Sequence, residues 1–131
     1  MALSATQSSQ LVEKLGRRYA SLLEEIRDEL EKNESQQYIE LIDRDPADIG
    51  DQSVGDALAD LNLAIIDRHV RELRDIEAAR GRVNDRTFGT CVDCGNEIGY
   101  ERLCAYPTAK RCFICQRQRE RTHAREGSPT L

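Results

Sequence analysis

Two pairs of cysteines carry the clearest chemistry in this chain. Cys91-Val92-Asp93-Cys94 and Cys112-Phe113-Ile114-Cys115 each separate two thiols by two residues, and 17 residues lie between the pairs. That short spacing lets one tight turn present both sulfurs at ~2.3 Å from a common ion, and a second pair completes a tetrahedron. A doubled Cys-x-x-Cys at this separation is the four-cysteine zinc pattern. Four thiolates leave no open position for water, so the ion, one Zn2+, is expected to be structural rather than catalytic. A redox dithiol is the competing reading, but the βαβ context of such motifs is missing. Cys104, the fifth cysteine, lies outside both pairs and is expected as a free thiol packed in the finger. His69 sits at the edge of an apolar stripe and His123 lies beyond the finger, so neither is read as a ligand. No Ser/His/Asp or Cys/His set, Gly-rich phosphate loop or paired catalytic carboxylates can be assembled, and the chain is not expected to be an enzyme.

These cysteines need elements to position them, and composition limits what those can be. Apolar residues make up 39% of the 131 residues, aromatics 5%, and there is no Trp, while 33% are charged. A sandwich or doubly wound core is hard to build from that supply, whereas a helical hairpin buries only one stripe per helix. Leu11, Leu15, Tyr19, Leu22, Ile26 and Leu30 recur at helical spacing, and the pattern thins over 33–37 before Tyr38 and Leu41. This predicts one helix over 8–42, with Ser8 or Ser9 as its cap. Pro46 and Gly50 among aspartates mark a turn at 43–52. Ser53 offers a cap for a second helix over 54–85, striped by Leu58, Leu61, Ile65, Ile66, Val70, Leu73, Ile76 and Val83. The expected fold is mainly α: a long antiparallel coiled-coil hairpin with a small four-cysteine zinc finger and a short C-terminal helix. The expected division is a hairpin over 1–87 with an acidic tip at 43–53, finger plus helix over 88–126, and a disordered tail over 127–131. So thin a rod needs a clamp at its open end, where the cysteines lie.

Charge separates the parts. Residues 1–87 carry 12 Lys/Arg against 19 Asp/Glu, residues 88–131 carry 7 against 5, and the whole chain is at -5. Within 43–60, six aspartates face Arg44 alone. A protein that holds DNA by its phosphates shows a basic patch; here the longest element is acidic, which favours a basic protein surface or a metal-bearing site as partner. Arg117, Arg119, Arg121 and Arg125 make the C-terminal helix the most basic piece, suited to a secondary contact with an acidic protein surface or nucleic acid. No run reaches the ~20 apolar residues of a membrane span. The start has neither a basic nor an apolar segment, so a cytoplasmic chain without membrane contact is expected.

The finger resembles the DksA/TraR family of bacterial transcription regulators. Phe88-Gly89, Cys91-x-x-Cys94-Gly95, Glu97-Ile98-Gly99, Arg102-Leu103, Pro107-Thr108-Ala109 and Cys112-x-x-Cys115 carry the likeness, and the hairpin with an Asp-rich tip extends it. The resemblance implies direct binding to RNA polymerase without sequence-specific DNA contact. It further implies entry of the hairpin into the secondary channel and modulation of open-complex stability at promoters by tip aspartates. The family's tip motif, Asp-x-x-Asp-x-Ala, fits in two overlapping frames: Asp45, Asp48 and Gly50, or Asp48, Asp51 and Ser53. The second keeps the distance to the first cysteine without a gap and is preferred; in both the Ala is replaced. Some members bind ppGpp together with polymerase through basic residues. In the gapless frame Arg68 stays basic, but Asp75, Tyr106 and Gln116 stand where the best-known member has Lys or Arg, so ppGpp synergy is expected to be reduced or absent. A monomer is implied, since a hairpin that enters a pore should not pair with itself. The alternative classes are a zinc-finger DNA-binding factor, supported by the basic helix and opposed by a pI of 5.1, and a zinc-stapled protein-interaction module.

Overall fold

The computed structural model describes residues 3–45, 57–58, 61 and 63–127, with side chains described through His123. The described helices are α1 (Ala5–Lys32), α2 (Gln36–Arg44), α3 (Ala64–Asn84), α4 (Tyr100–Ala105) and α5 (Phe113–Gly127). Among the described residues the sole β pairing is an isolated antiparallel bridge between Thr90 and Glu97. The chain is mainly α, as its composition requires. No described helix is long and apolar enough to cross a membrane. The chain divides into two compact units, one of Glu13–Ala78 and one joining Met1–Val12 to Ala79–Leu131.

The Glu13–Ala78 unit is built from stripes. Leu15, Leu22, Ile26 and Leu30 of α1 are buried, as are Ile39 and Ile42 of α2, Leu58, and Ile66, Val70, Leu73 and Ile76 of α3. Burial of such side chains is worth roughly 1.5–3 kcal/mol each and drives the association. Polar pairs set the register. Arg18 forks onto Glu72, with Nη2 at 3.1 Å from Oε1 and Nε on the other oxygen. His69 Nε2 lies 3.2 Å from Glu25 Oε2. As numbers rise along α1, their partners on α3 fall, so the two helices run antiparallel. These pairs are largely exposed, and exposed pairs contribute about 1 kcal/mol or less. They select a register more than they stabilise it.

The first arm is not the single helix over 8–42 that its periodicity suggests. It breaks at residues 33–35. The Glu34 N–H bonds to Glu31 O at 3.1 Å and the Ser35 N–H to Leu30 O at 3.0 Å, with Glu34 in the left-handed region at φ 56. This is a Schellman turn, which satisfies the last carbonyls of α1. The Asn33 side chain takes another, donating to Glu29 O at 2.8 Å. α2 then turns back toward α1, and Arg27 pairs with Asp43. In a continuous helix those residues would stand about 24 Å apart. Ile39 and Ile42 are buried, whereas Tyr38 and Leu41, the residues that seemed to resume the stripe, are only half-buried. The thin stretch was a stop signal.

The start of α1 also differs from expectation. α1 begins at Ala5, not near Ser8, because Ser4 and Gln7 form a capping box: Gln7 N–H to Ser4 Oγ at 3.1 Å and Ser4 N–H to Gln7 Oε1 at 3.0 Å. Along the expected second helix, residues 54–56 lie outside the described residues, Ala57 and Leu58 are helical, and α3 runs from Ala64. Leu61 N–H closes a turn onto Leu58 O at 3.1 Å, and Asp67 N–H makes the first helical bond to Leu63 O at 3.0 Å. Ile65, placed in the buried stripe by its spacing, is 38% exposed. Pro46, Gly50, Ser53 and the tip residues Asp48 and Asp51 lie outside the described residues, as do 128–131; α5 runs through Gly127.

Two substitutions test these caps in opposite directions. Ser4→Ala should lower stability by about 1 kcal/mol through loss of the cap. Glu34→Gly should raise it by roughly 0.5–1 kcal/mol, since a left-handed L-residue is strained and the gain outweighs glycine's extra chain entropy. Urea unfolding of the zinc-loaded chain measures both.

Candidate metal centre

The second unit begins where α3 ends. Asn84 is followed by another Schellman turn, with Thr87 N–H to Arg82 O at 2.8 Å and Arg86 N–H to Val83 O at 3.2 Å, and Arg86 at φ 61. The chain then passes Gly89, whose φ of +88 an L-residue rarely adopts, and where a Cβ would stand 3.0 Å from the Leu3 side chain. Ile98 N–H bonds back to Gly89 O, and Cys91 N–H to Asn96 O, both at 2.8 Å. Gly95, at φ +76, turns the chain after Cys94, and its N–H reaches Cys91 O at 3.0 Å. The first knuckle is therefore fixed by backbone bonds alone. The second is the entry to α5. There Cys115 N–H approaches Cys112 Sγ at 3.5 Å and Gln116 N–H bonds to Cys112 O at 2.9 Å.

Three contacts draw the knuckles together. Val92 N–H donates to Lys110 O at 2.9 Å, Arg111 Nε to Asp93 Oδ2 at 2.8 Å, and Arg102 Nε to Arg111 O at 3.1 Å. Asp93 and Arg111 carry no metal-ligand signature, and sequence reading passed over them. The one available hint was an acidic residue inside the first Cys-x-x-Cys with a basic residue just before the second. Beneath the knuckles, Cys91, Ile98 and Leu103 of the finger share a buried cluster with Leu11 of α1, and Leu3, Phe88, Tyr100 and Cys104 pack against it. Tyr100 Oη donates to Gln10 Oε1 at 3.0 Å, and Arg82 Nη2 to Thr108 O at 3.2 Å. The first turns of α1 and the last turn of α3 are thus held in the same unit as the finger. Cys104 is half-buried within this cluster.

The four sulfurs of Cys91, Cys94, Cys112 and Cys115 lie within 4.8 Å of one another. Cys94 Sγ and Cys112 Sγ are 3.8 Å apart. A regular tetrahedron with ~2.3 Å zinc–sulfur bonds has edges of ~3.8 Å, while a disulfide needs ~2.05 Å. Electrostatics points the same way, because Cys91, Cys94 and Cys115 do not ionise alike. Burial pushes Cys91 up, but N–H groups of Cys94, Cys112 and Asp93 outweigh it and bring the thiol to about 6. Cys94 is raised: the Asn96 N–H opposes the rise, and burial and sharing with Cys91 exceed it. Cys115, sharing a hydrogen bond with Cys112 and partly desolvated, is pushed up to about 12. One anion is favoured and further ones are penalised, which is the condition a dication removes. The donor set, its spacing and its size fit a structural Zn2+, and the ion supplies cross-linking and countercharge.

This unit is a four-thiolate zinc finger. Residues 86–121 match the model of the prokaryotic dksA/traR C4-type zinc finger. The finger is thus of the dksA/traR C4 type. It is 36% identical over 95 residues to an uncharacterized protein of Aquifex aeolicus, covering 70% of this chain and 63% of that one. It is 43% identical over 56 residues to the RNA polymerase-binding transcription factor DksA of Escherichia coli, covering 43% of this chain and 37% of the relative. For the Haemophilus influenzae protein of that name the figures are 39% over 72 residues, 55% and 48%. The aligned region is thus less than two thirds of each relative. No solved structure matches the chain.

The remaining sequence-predicted residues do not join this centre. His123 is exposed on α5, and His69 pairs with Glu25 in the other unit. Tyr106 is exposed with Arg102 over its ring at 5.7 Å. Asp45 caps α2 through its N–H to Leu41 O at 3.1 Å. Arg117, Arg119 and Arg121 are exposed, and the Arg125 side chain lies outside the described residues.

Chelation or Cys91→Ser should abolish metal uptake, measured by elemental analysis as loss of one zinc per chain. It should also loosen the cluster at Leu11, Ile98 and Leu103, seen as lost hydrogen-exchange protection at Ile98 and Leu103. Zinc binding at neutral pH should release at least two protons, from Cys94 and Cys115, so affinity falls as pH is lowered and protons compete for sulfur. Calorimetry in buffers of different ionisation enthalpy counts them.

Proposed function

We propose that this chain regulates transcription by binding RNA polymerase directly, placing an acidic segment of its helical hairpin in the secondary channel and altering open-complex stability at promoters. The carrying observation is the family finger at 86–121, shared with relatives named as RNA polymerase-binding transcription factors. The charge map agrees: the -5 segment over 43–60 suits a channel lined by basic groups, and the finger half is mildly basic. In this reading Asp48 and Asp51, with Asp45 and Ser53 beside them, are the modulating tip. Arg117, Arg119, Arg121 and Arg125 supply a secondary contact. The zinc centre is a staple without catalytic part, and the chain acts in the cytoplasm as a monomer. Asp75, Tyr106 and Gln116 lack the charge a polyphosphate needs, so the effect depends little on ppGpp.

The test uses purified core polymerase and the zinc-loaded full chain. Asp48→Asn with Asp51→Asn should leave affinity within about threefold and remove the change in open-complex lifetime. If the double variant acts like the wild type, the tip assignment fails. If the chain does not bind polymerase but retards one particular duplex at physiological salt, it is instead a DNA-binding factor.

A further inference from the structure

The finger exposes more apolar surface than its size explains. Phe113 is 58% and Ile114 67% exposed, although both sit between the two cysteines of the second knuckle. The spacing of a zinc knuckle does not require bulky apolar residues there; it requires only two residues. On α5 these side chains continue into a basic ridge. Phe113, Arg117 and Arg121 recur every four residues, with Ile114 beside them, so all four share one side of the helix over about 12 Å. Arg117 and Arg121 make no ion pair among the described residues, and Arg117 lies over the Phe113 ring at 5.5 Å. Glu120, which borders this side, is engaged elsewhere, accepting from Gln116 Nε2 at 3.0 Å. An exposed aromatic, a β-branched aliphatic and two unpaired guanidiniums form a composite anchor of the type enriched at protein interfaces.

We infer that the Phe113–Ile114–Arg117–Arg121 face of α5 docks an acidic amphipathic helix of a protein partner. Charge complementarity favours an acidic partner: the face carries Arg117 and Arg121 against Glu120 alone, whose carboxylate accepts from Gln116. The apolar pair fixes the class. A nucleic-acid backbone would satisfy the arginines but leave Phe113 and Ile114 in water, and Arg117 already covers one face of the ring on which a base would stack. A helix that sets a Leu or Met on the apolar pair and carboxylates one and two turns further along satisfies every group. The inference does not depend on the identity of the partner, and it stands apart from the acidic tip.

The probe is a synthetic helical peptide with Leu on one side and Glu flanking it, titrated into the 15N-labelled, zinc-loaded full chain. Shifts should concentrate at residues 113–121. Phe113→Ser with Ile114→Ser, and separately Arg117→Glu with Arg121→Glu, should each weaken binding at least tenfold. All four sites are exposed, and retained zinc and an unchanged finger spectrum verify folding. A peptide with Leu replaced by Ser should bind at least tenfold more weakly. The inference is overturned if the peptide does not bind, if shifts fall outside α5, or if either double variant binds like the wild type. It is also overturned if a single-stranded oligonucleotide or anionic vesicles bind this face more tightly than the peptide. Failure here would bear on the secondary contact at Arg117 and Arg121 but would leave the role of Asp48 and Asp51 untouched.

Discussion

Four thiols within 4.8 Å of one another make a site that cannot ionise fully without a cation. The finger has almost no other means of closing. Its buried apolar residues are few, and its backbone runs through turns that leave little regular hydrogen bonding. The ion therefore acts as a cross-link between two knuckles that the chain brings together only weakly through Val92, Asp93 and Arg111. Because Leu3, Leu11 and Gln10 share that unit, zinc also organises the beginning of α1. Metal binding energy becomes folding energy at a place where burial alone would be marginal.

The Glu13–Ala78 unit follows different physics. Its helices are held by long stripes of Leu and Ile, with ion pairs such as Arg18–Glu72 selecting the register. Here a break matters as much as a stripe. Asn33, Glu34 and Ser35 end α1 with three backbone bonds and one left-handed residue, and α2 turns back so that Asp43 meets Arg27. The acidic run thus begins with an aspartate already neutralised in part by an arginine of its own unit.

The metal centre was legible from the sequence because its signal is covalent spacing: two Cys-x-x-Cys pairs define a donor set without any knowledge of packing. Mainly helical architecture was legible for a similar reason, since apolar residues recurring every three or four positions admit few alternatives. Helix ends were not. The stripe on α1 continues in pattern through Tyr38 and Leu41, and nothing in periodicity distinguishes a continuous helix from two that meet at a turn. The distinction lies in Glu34 adopting a left-handed conformation that Gly would have advertised. Likewise Ser4 and Gln7 form a capping box that lies before the first large apolar residue of the stripe, where a reading anchored on Leu11 does not look. Asp93 and Arg111 escaped because their pairing depends on the two knuckles already being folded together.

The contrast between the cysteines and the residues between them bears on function. In the first knuckle the intervening pair is Val92-Asp93, and Asp93 is consumed by Arg111, which is 11% exposed. In the second it is Phe113-Ile114, and both stay largely exposed although Arg117 lies over the Phe113 ring. Zinc geometry constrains the spacing of these residues but not their type. A finger kept only as a staple would gain solubility from polar side chains at both positions, as apolar surface in water is costly. Arg117 shields one face of Phe113, which reduces that cost without hiding the ring. The exposed apolar pair therefore argues that the staple is also a contact surface.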